Sequence, residues 1–199
     1  MFDNKRILGA IFCLGLAKNP TPSGVAKALG TDERSLTGIL KGLSRRGYLK
    51  ERGGRITLTP KGRKELKVVF IGGGFEVIHR GHLYTIERAK SLGDVLVVSV
   101  ARDSTIKRRK KRTPMANEQE RLKLLSSLRQ VDAAILGVKG DIYRTLEKVG
   151  PDVVALGYDQ YHSSSEIASE ARRRGMKLKV VRLDSPYPEV KTSSLLREI

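Results

Sequence analysis

The sequence predicts an α/β chain of two domains. A doubly wound parallel sheet of five strands occupies residues 67–199, and a small three-helix domain closing in a hairpin occupies 1–66. Three observations carry this reading. After residue 66, near-continuous Val/Ile/Leu/Ala runs alternate with helical stretches, as strands buried on both faces by crossover helices do. Before it, helical periodicity gives way to two short runs around Gly53-Gly54. Charge also changes there: residues 1–66 carry 14 Lys/Arg against 5 Asp/Glu, so half the net charge of +18 sits on a third of the chain.

Composition bounds the function. With 199 residues the chain has room for two small domains, each with its own core. The single cysteine, Cys13, excludes an internal disulfide framework and a Cys-cluster metal site. The absence of Trp and an aromatic share of 5% argue against an aromatic platform for single strands. A surplus of +18 points to a polyanionic partner: nucleic acid, nucleotide phosphates or an anionic membrane. No apolar run approaches the roughly 20 residues of a membrane span. In the first 20 residues Asp3 and Asn4 precede the apolar stretch, and Leu8, Ile11, Phe12 and Leu16 recur at helical spacing. That is a buried helix face rather than a signal peptide. A cytoplasmic location is expected, in line with one unpaired thiol.

Two further helices follow, over 21–29 and 32–46, joined at Gly30-Thr31 with Thr31 or Asp32 as N-cap. Leu36, Ile39, Leu40 and Leu43 form one apolar stripe, and Arg34, Ser35, Thr37, Gly38 and Lys41 lie on the other face. Short polar and basic residues of this kind suit a major groove. Tyr48–Arg52 and Arg55–Thr59 read as a hairpin with Arg52 and Arg55 at its tip. Three helices and a basic-tipped hairpin resemble a winged helix-turn-helix domain. The resemblance implies double-stranded DNA as partner, with Arg34, Ser35, Thr37, Lys41, Arg52 and Arg55 as candidate contacts and a homodimer as the expected assembly. The alternative use of such a domain is protein contact.

The junction TPKGRKELKVVF has no Gly/Ser linker. Beyond it, strands are expected at Val68–Ile71, Val95–Ala101, Ala133–Leu136, Val153–Leu156 and Leu178–Leu183. Helices are expected at His82–Leu92, Asn117–Leu128, Ile142–Val149 and Ser164–Arg174. Ligands of such sheets bind beyond the carboxyl ends of the strands, which directs attention to the residues after the first strand.

Those residues are Gly72-Gly73-Gly74-Phe75-Glu76-Val77-Ile78-His79-Arg80-Gly81-His82. Glycines let the backbone approach a ligand, and a helix N-terminus beginning near His79 offers amide donors and a positive dipole end to phosphate. Two imidazoles three residues apart can both donate to phosphate oxygens. The alternatives are a tight turn, or a metal site for which no third ligand has matching spacing. The G-x-G-x-x-G dinucleotide pattern is not met here.

The string G-G-F-E-V-I-H-R-G-H resembles the G-T-F-D-x-x-H-x-G-H signature of the cytidylyltransferase-like nucleotidyltransferases, and the stretch 67–199 resembles their archaeal FAD synthetase branch. Matching stations follow in order: Lys107 with Arg108–Arg112, Pro114 with Glu118 and Arg121, Pro151 through Gln160 as P-D-x-x-x-L-G-x-D-Q, and Lys191-Thr192-Ser193-Ser194. Gly74 and Glu76 stand where the family usually has Thr and Asp.

The resemblance implies a Rossmann-like sheet and direct nucleotidyl transfer to an acceptor phosphate, with pyrophosphate leaving. It implies His79, His82 and Lys107 as catalytic residues. Gly73, Gly74, Phe75, Gly81, Arg112, Arg121, Gly157, Asp159, Ser193 and Ser194 are the implied nucleotide contacts. Plain readings stand beside these: Arg121 pairing with Glu118, Asp159 making an Asx-turn, Ser193 and Ser194 capping a helix. Mg²⁺ is the expected cofactor, since triphosphates need charge screening. ATP with FMN is the expected substrate pair. CTP with glycerol phosphate or another phospho-alcohol is the alternative, and a nucleotide-sensing regulator with little catalysis is a third reading.

Overall fold

The computed structural model describes residues 3–18 and 20–189. The chain divides into two compact units, Met1–Lys67 and Val68–Ile199.

In the first unit each helix begins on a side-chain cap. Asp3 accepts from the Lys5 amide to start α1 (Asn4–Ala17), and Thr21 accepts from Gly24 to start α2 (Pro22–Leu29), which has Pro22 in its first turn. Gly30, left-handed at φ 67°, ends α2. Asp32 accepts from Ser35 and opens α3 (Glu33–Arg45). The hairpin pairs β1 (Leu49–Arg52) with β2 (Arg55–Leu58), and the positive φ of both Gly53 and Gly54 makes the two-residue turn that matches strand twist. Ile7, Leu8, Ile11, Val25, Leu36, Leu43, Leu49 and Ile56 form the buried set. Of the expected α3 stripe, Leu36, Leu40 and Leu43 are buried and Ile39 is partly exposed.

A short helix, α4 (Pro60–Lys64), closes the unit and was absent from the sequence expectation. Thr59 makes it: its hydroxyl donates to the Gly47 carbonyl and accepts from the Gly62 amide. Five residues are too few to show a period, so only this capping chemistry could have signalled it.

The second unit is a five-stranded, all-parallel sheet in the order β5-β4-β3-β6-β7. Its elements run β3 (Val68–Gly73), α5 (Arg80–Lys90), β4 (Val95–Val100), α6 (Asp103–Lys110), α7 (Glu118–Ser126), β5 (Ala133–Leu136), α8 (Ile142–Val149), β6 (Val153–Leu156), α9 (Ser164–Arg173) and β7 (Lys179–Arg182). From β3 the chain moves outward through β4 to β5, then returns to the other side of β3 for β6 and β7. Right-handed crossovers therefore place α5 and α7 on one face and α8 and α9 on the other. Val69, Ile71, Leu96, Val98, Val100, Val153 and Ala155 pack against Ile86, Ala89 and Leu125 on the first face. The reversal at β3/β6 opens a crevice at the carboxyl ends of these strands.

The expected strands and helices of this unit all form, with ends shifted by one or two residues. One helix is added to those expected: α6, which carries Asp103 in its first turn and Lys107, Arg108, Arg109 and Lys110 in its last, with Lys111 as its C-cap and Arg112 beyond it. That polarity complements the helix dipole, and Lys and Arg are good helix formers. Among the described residues no helix is long and apolar enough to cross a membrane.

The tightest backbone approach in the first unit is at Gly62, where an added Cβ would stand 2.1 Å from the Tyr48 carbonyl oxygen. Only backbone movement could relieve that contact. Gly62→Ala should cost about 1–3 kcal/mol of stability. Urea unfolding of the full chain checks this, together with amide exchange over 47–64. Unchanged protection there would remove the packing argument.

Candidate active site

The crevice is a cavity of about 650 Å³, within the range of small-molecule sites. Its lining is assembled from four stretches: the β3–α5 turn, α6, the loop after β5, and the loop after β6. Of the sequence candidates, Gly73, Gly74, Phe75, His79, Gly81, His82, Gly157 and Asp159 line it.

Strand β3 delivers the turn. Phe75 adopts a left-handed backbone, φ 50°, which is costly for a bulky residue, and its ring is buried at 6% exposure. Gly73 makes room for that ring, since a Cβ there would lie 2.9 Å from it. Gly74 is different: a Cβ would meet nothing closer than 3.8 Å, so the backbone does not require glycine at this position. The Phe75 ring centroid lies 5.3 Å from that of His82, and His82 lies 4.0 Å from His79. His79 is the N-cap of α5, yet its side chain does not cap the helix. The His82 amide donates to the His79 carbonyl at 2.9 Å, so the amides of Arg80 and Gly81 are the ones that the helix start offers to a ligand beside the two rings.

Burial holds the His82 imidazole down at about 4, reinforced by the positive charges of His79 and Lys110 and opposed by a hydrogen bond with the Val77 backbone. Burial lowers His79 too, against the pull of Asp159. Burial thus favours the uncharged form of both rings, most strongly that of His82, and an arriving polyanion would raise their proton affinity.

Opposite them stands the basic end of α6. Arg108, Arg109 and Lys110 line the cavity; Lys107, the expected catalytic cation, does not. The helix is the reason, because successive side chains point about 100° apart around α6. Arg112 is also off the lining. It makes a two-pronged pair with Glu76 at 2.7 and 3.0 Å, and Lys110 joins the same carboxylate at 2.6 Å. The Glu76 side chain is fully buried. Burial works to raise its carboxyl, but the hydrogen bonds from Arg112 and Lys110 outweigh it and hold the group below the usual range. Glu76 therefore ties the end of α6 to the β3–α5 turn, a role the sequence reading did not assign.

Arg121 was expected at the nucleotide. It is 1% exposed, and it pairs with Asp103 rather than Glu118. Its Nε donates to the Ala116 carbonyl at 3.0 Å, Nη1 to the Gly74 carbonyl at 2.5 Å, and Nη2 to the Ala101 carbonyl at 2.8 Å and to Asp103 at 2.6 Å. It is the floor beneath the turn, with no face toward the cavity. Glu118 instead accepts from the Asp103 amide at 2.9 Å and pairs with Arg102 at 3.1 Å.

The remaining wall contains residues that the sequence reading missed. Tyr143, Tyr158 and Tyr161, half of the six tyrosines, line the cavity with Gln160 and His162. Arg109 lies over the Tyr161 ring at 3.8 Å. Gln160 donates to the Gly72 carbonyl at 2.6 Å and so joins the β6 loop to β3. Its place in the P-D-x-x-x-L-G-x-D-Q string was the available signal. Ser193 and Ser194 lie outside the described residues. Among the described residues no group of three or more His, Cys, Asp or Glu could hold a metal; Asp141 and Asp159 are the carboxylates on the lining besides the polar groups above.

Comparison with known proteins agrees with this geometry. Residues 70–199 match the cytidylyltransferase-like family. An FAD synthase of Aciduliprofundum boonei is 50% identical over 115 residues, covering 58% of this chain and 76% of that protein. An FAD synthase of Thermoplasma volcanium is 41% identical over 130 residues, covering 65% and 91%. The crystal structure titled lipopolysaccharide core biosynthesis protein, from T. volcanium, superposes with a TM-score of 0.58 at 42% identity, over 60% of this chain and 98% of that one. A match that spans the whole crevice, with close relatives covered over most of their length, establishes that this chain belongs to the cytidylyltransferase-like family.

Proposed function

We propose that the chain is an FMN adenylyltransferase: it makes FAD from ATP and FMN and releases pyrophosphate. The observation that carries this is the His79/His82 pair at the N-terminus of α5, facing the cationic end of α6 across one cavity. FAD synthases at 38–50% identity supply the substrates. An FMN phosphate oxygen attacks the α-phosphorus of ATP. The bond from that phosphorus to the α,β-bridging oxygen breaks, and the oxygen leaves with pyrophosphate. His79, His82 and the α5 amides stabilise charge on the reacting phosphate, and Arg108, Arg109 and Lys110 receive the leaving group. Mg²⁺ would screen the triphosphate charge; Asp159 and Asp141 are the carboxylates on the lining that could share it, Asp141 being already engaged as the cap of α8 and with Arg174 at 3.5 Å.

We further propose that the 1–67 unit is a winged helix that contacts double-stranded DNA as a homodimer. What supports this is its order of three helices and a hairpin, and the exposure of Arg34, Ser35, Thr37, Lys41, Arg52 and Arg55. The Ser35 and Thr37 hydroxyls already hydrogen-bond within α3, to Asp32 and the Glu33 carbonyl, so the basic residues carry this reading.

The test of the reaction is pyrophosphate release with Mg²⁺, crossing ATP and CTP with FMN and glycerol 3-phosphate. Release with ATP plus FMN, with FAD formed, is expected. Release only with CTP would move the protein to phospho-alcohol chemistry. His82→Gln should lower turnover by about 10²–10³-fold. The same variant has a signature in stability. Between about 4 and 6.5 the unfolded chain takes up a proton that folded His82 refuses, so wild-type stability falls as pH drops through that window. Denaturant midpoints of His82→Gln should show a shallower fall, with the part due to His79 remaining; an identical slope would mean that His82 is not the titrating group. For DNA, Arg34→Ala and Lys41→Ala should each reduce the slope of log affinity against log salt by about one, measured by anisotropy on a random duplex. Unaltered slopes would turn this unit toward protein contact.

A further inference from the structure

Six consecutive residues, Gly157–His162, wall one side of the cavity without helix or strand to shape them. Within the segment the one backbone bond is from the Gln160 amide to the Gly157 carbonyl, at 3.2 Å. A wall so short of internal bonds needs an external template, and one stands at the end of β7. Arg182 Nη1 donates to the carbonyls of Gly157 at 2.8 Å, Gln160 at 3.1 Å and Tyr158 at 3.4 Å, and Nη2 donates to the carbonyl of His162 at 2.5 Å. Arg182 itself is not on the lining. The four carbonyls are thus gathered on the side away from the cavity.

Two consequences follow. In a trans peptide the N–H points opposite to the C=O, so the amides of Tyr158, Asp159 and Tyr161 are turned toward the cavity. The negative ends of four peptide dipoles are also drawn off a site that must accept a polyanion and are neutralised by a fixed cation. The planar fan of guanidinium donors can serve several acceptors at once; an ammonium would be a single point charge on a flexible stem. Gln160 anchors the same loop from the other side, on the Gly72 carbonyl.

We propose that Arg182 is a positioning residue for the nucleoside triphosphate: it moulds the 157–162 loop into an amide-lined wall and does not itself touch substrate. This deepens the adenylyl-transfer reading and rests on it for the identity of the nucleotide. The test separates the two. FAD formation by the wild-type protein examines the reaction, while ATP affinity, measured by calorimetry without FMN, examines Arg182. Arg182→Ala should weaken ATP binding about tenfold, and Arg182→Lys should behave nearly as badly despite keeping the charge. Millimolar guanidinium should restore affinity to Arg182→Ala and leave the wild type unmoved. The KM for FMN should stay within twofold, so the defect lies on the nucleotide side. Unchanged ATP affinity in either variant, full recovery with Lys, or failure of guanidinium to rescue would overturn the assignment. If the wild type bound ATP but formed no FAD, the Arg182 result would stand and the reaction would need another acceptor; a wild type that bound no ATP would overturn both.

Discussion

Arg121 brings a full positive charge to a place with 1% exposure, where its donors meet oxygens of four residues: Ala116, Gly74, Ala101 and Asp103. Removing an ion from water costs several kcal/mol even after relaxation, so such a group persists only where its partners are complete. Those partners belong to the end of β3, the end of β4, the start of α6 and the approach to α7. One side chain thereby sets the distance between the phosphate turn and the basic helix. The reciprocal bonds between Asp103 and Glu118 fasten the same two helices again: each carboxylate accepts the other's amide, at 2.9 and 3.3 Å. The strained Phe75 backbone sits directly above this bracket and is tolerable because the turn cannot relax in either direction.

On that floor the site arranges charge so that it can stay assembled before a polyanion arrives. Three adjacent cations on one helix end repel one another, and the buried Glu76 carboxylate offsets two of the neighbouring positive charges, on Lys110 and Arg112. Burial disfavours the charged form of both histidines, most strongly that of His82. The cavity thus carries its positive charge on the end of α6, and under the proposed reaction the two rings would gain protons as phosphate supplies the compensating charge.

How much of this was legible in the sequence follows from the kind of signal each residue emits. The central strands β3, β4 and β6 read clearly because they are buried on both faces and rich in Val and Ile, the half-buried edge strands β5 and β7 through their short apolar runs, and the crossover helices follow from the spacing. The β3–α5 turn was legible because glycine and histidine are chemically unusual side by side. What sequence could not convey was direction. Lys107 and Arg108 are adjacent and chemically equivalent in a string, but a helix turns one of them off the cavity. Arg121 in the string is a cation near a phosphate motif, and only its burial converts it from a ligand contact into a brace. Glu76 is in the string only a departure from the family's Asp, yet it ties residues that lie 34 apart in the chain. The tyrosines around the cavity come from separate loops with no shared period, so nothing in a linear reading groups them.

The net charge of +18 is distributed over two kinds of site, and the difference is physical. In the 68–199 unit the working cations are exposed, but Lys110 is held by the buried Glu76 carboxylate and Arg109 lies over the Tyr161 ring, and both line one cavity. Charges braced around one small volume are placed in advance of the anion that they meet. In the 1–67 unit the basic residues of α3 and the hairpin are exposed and carry no comparable bracing. Their attraction to an anion is long-ranged, weak per contact and reduced by salt, which suits an extended polyanion met over many repeats. One composition thus presents two arrangements of positive charge: a pocket in which a carboxylate and a ring brace the cations around one volume, and a solvated face that, on the proposed DNA reading, would bind through the number of charges presented.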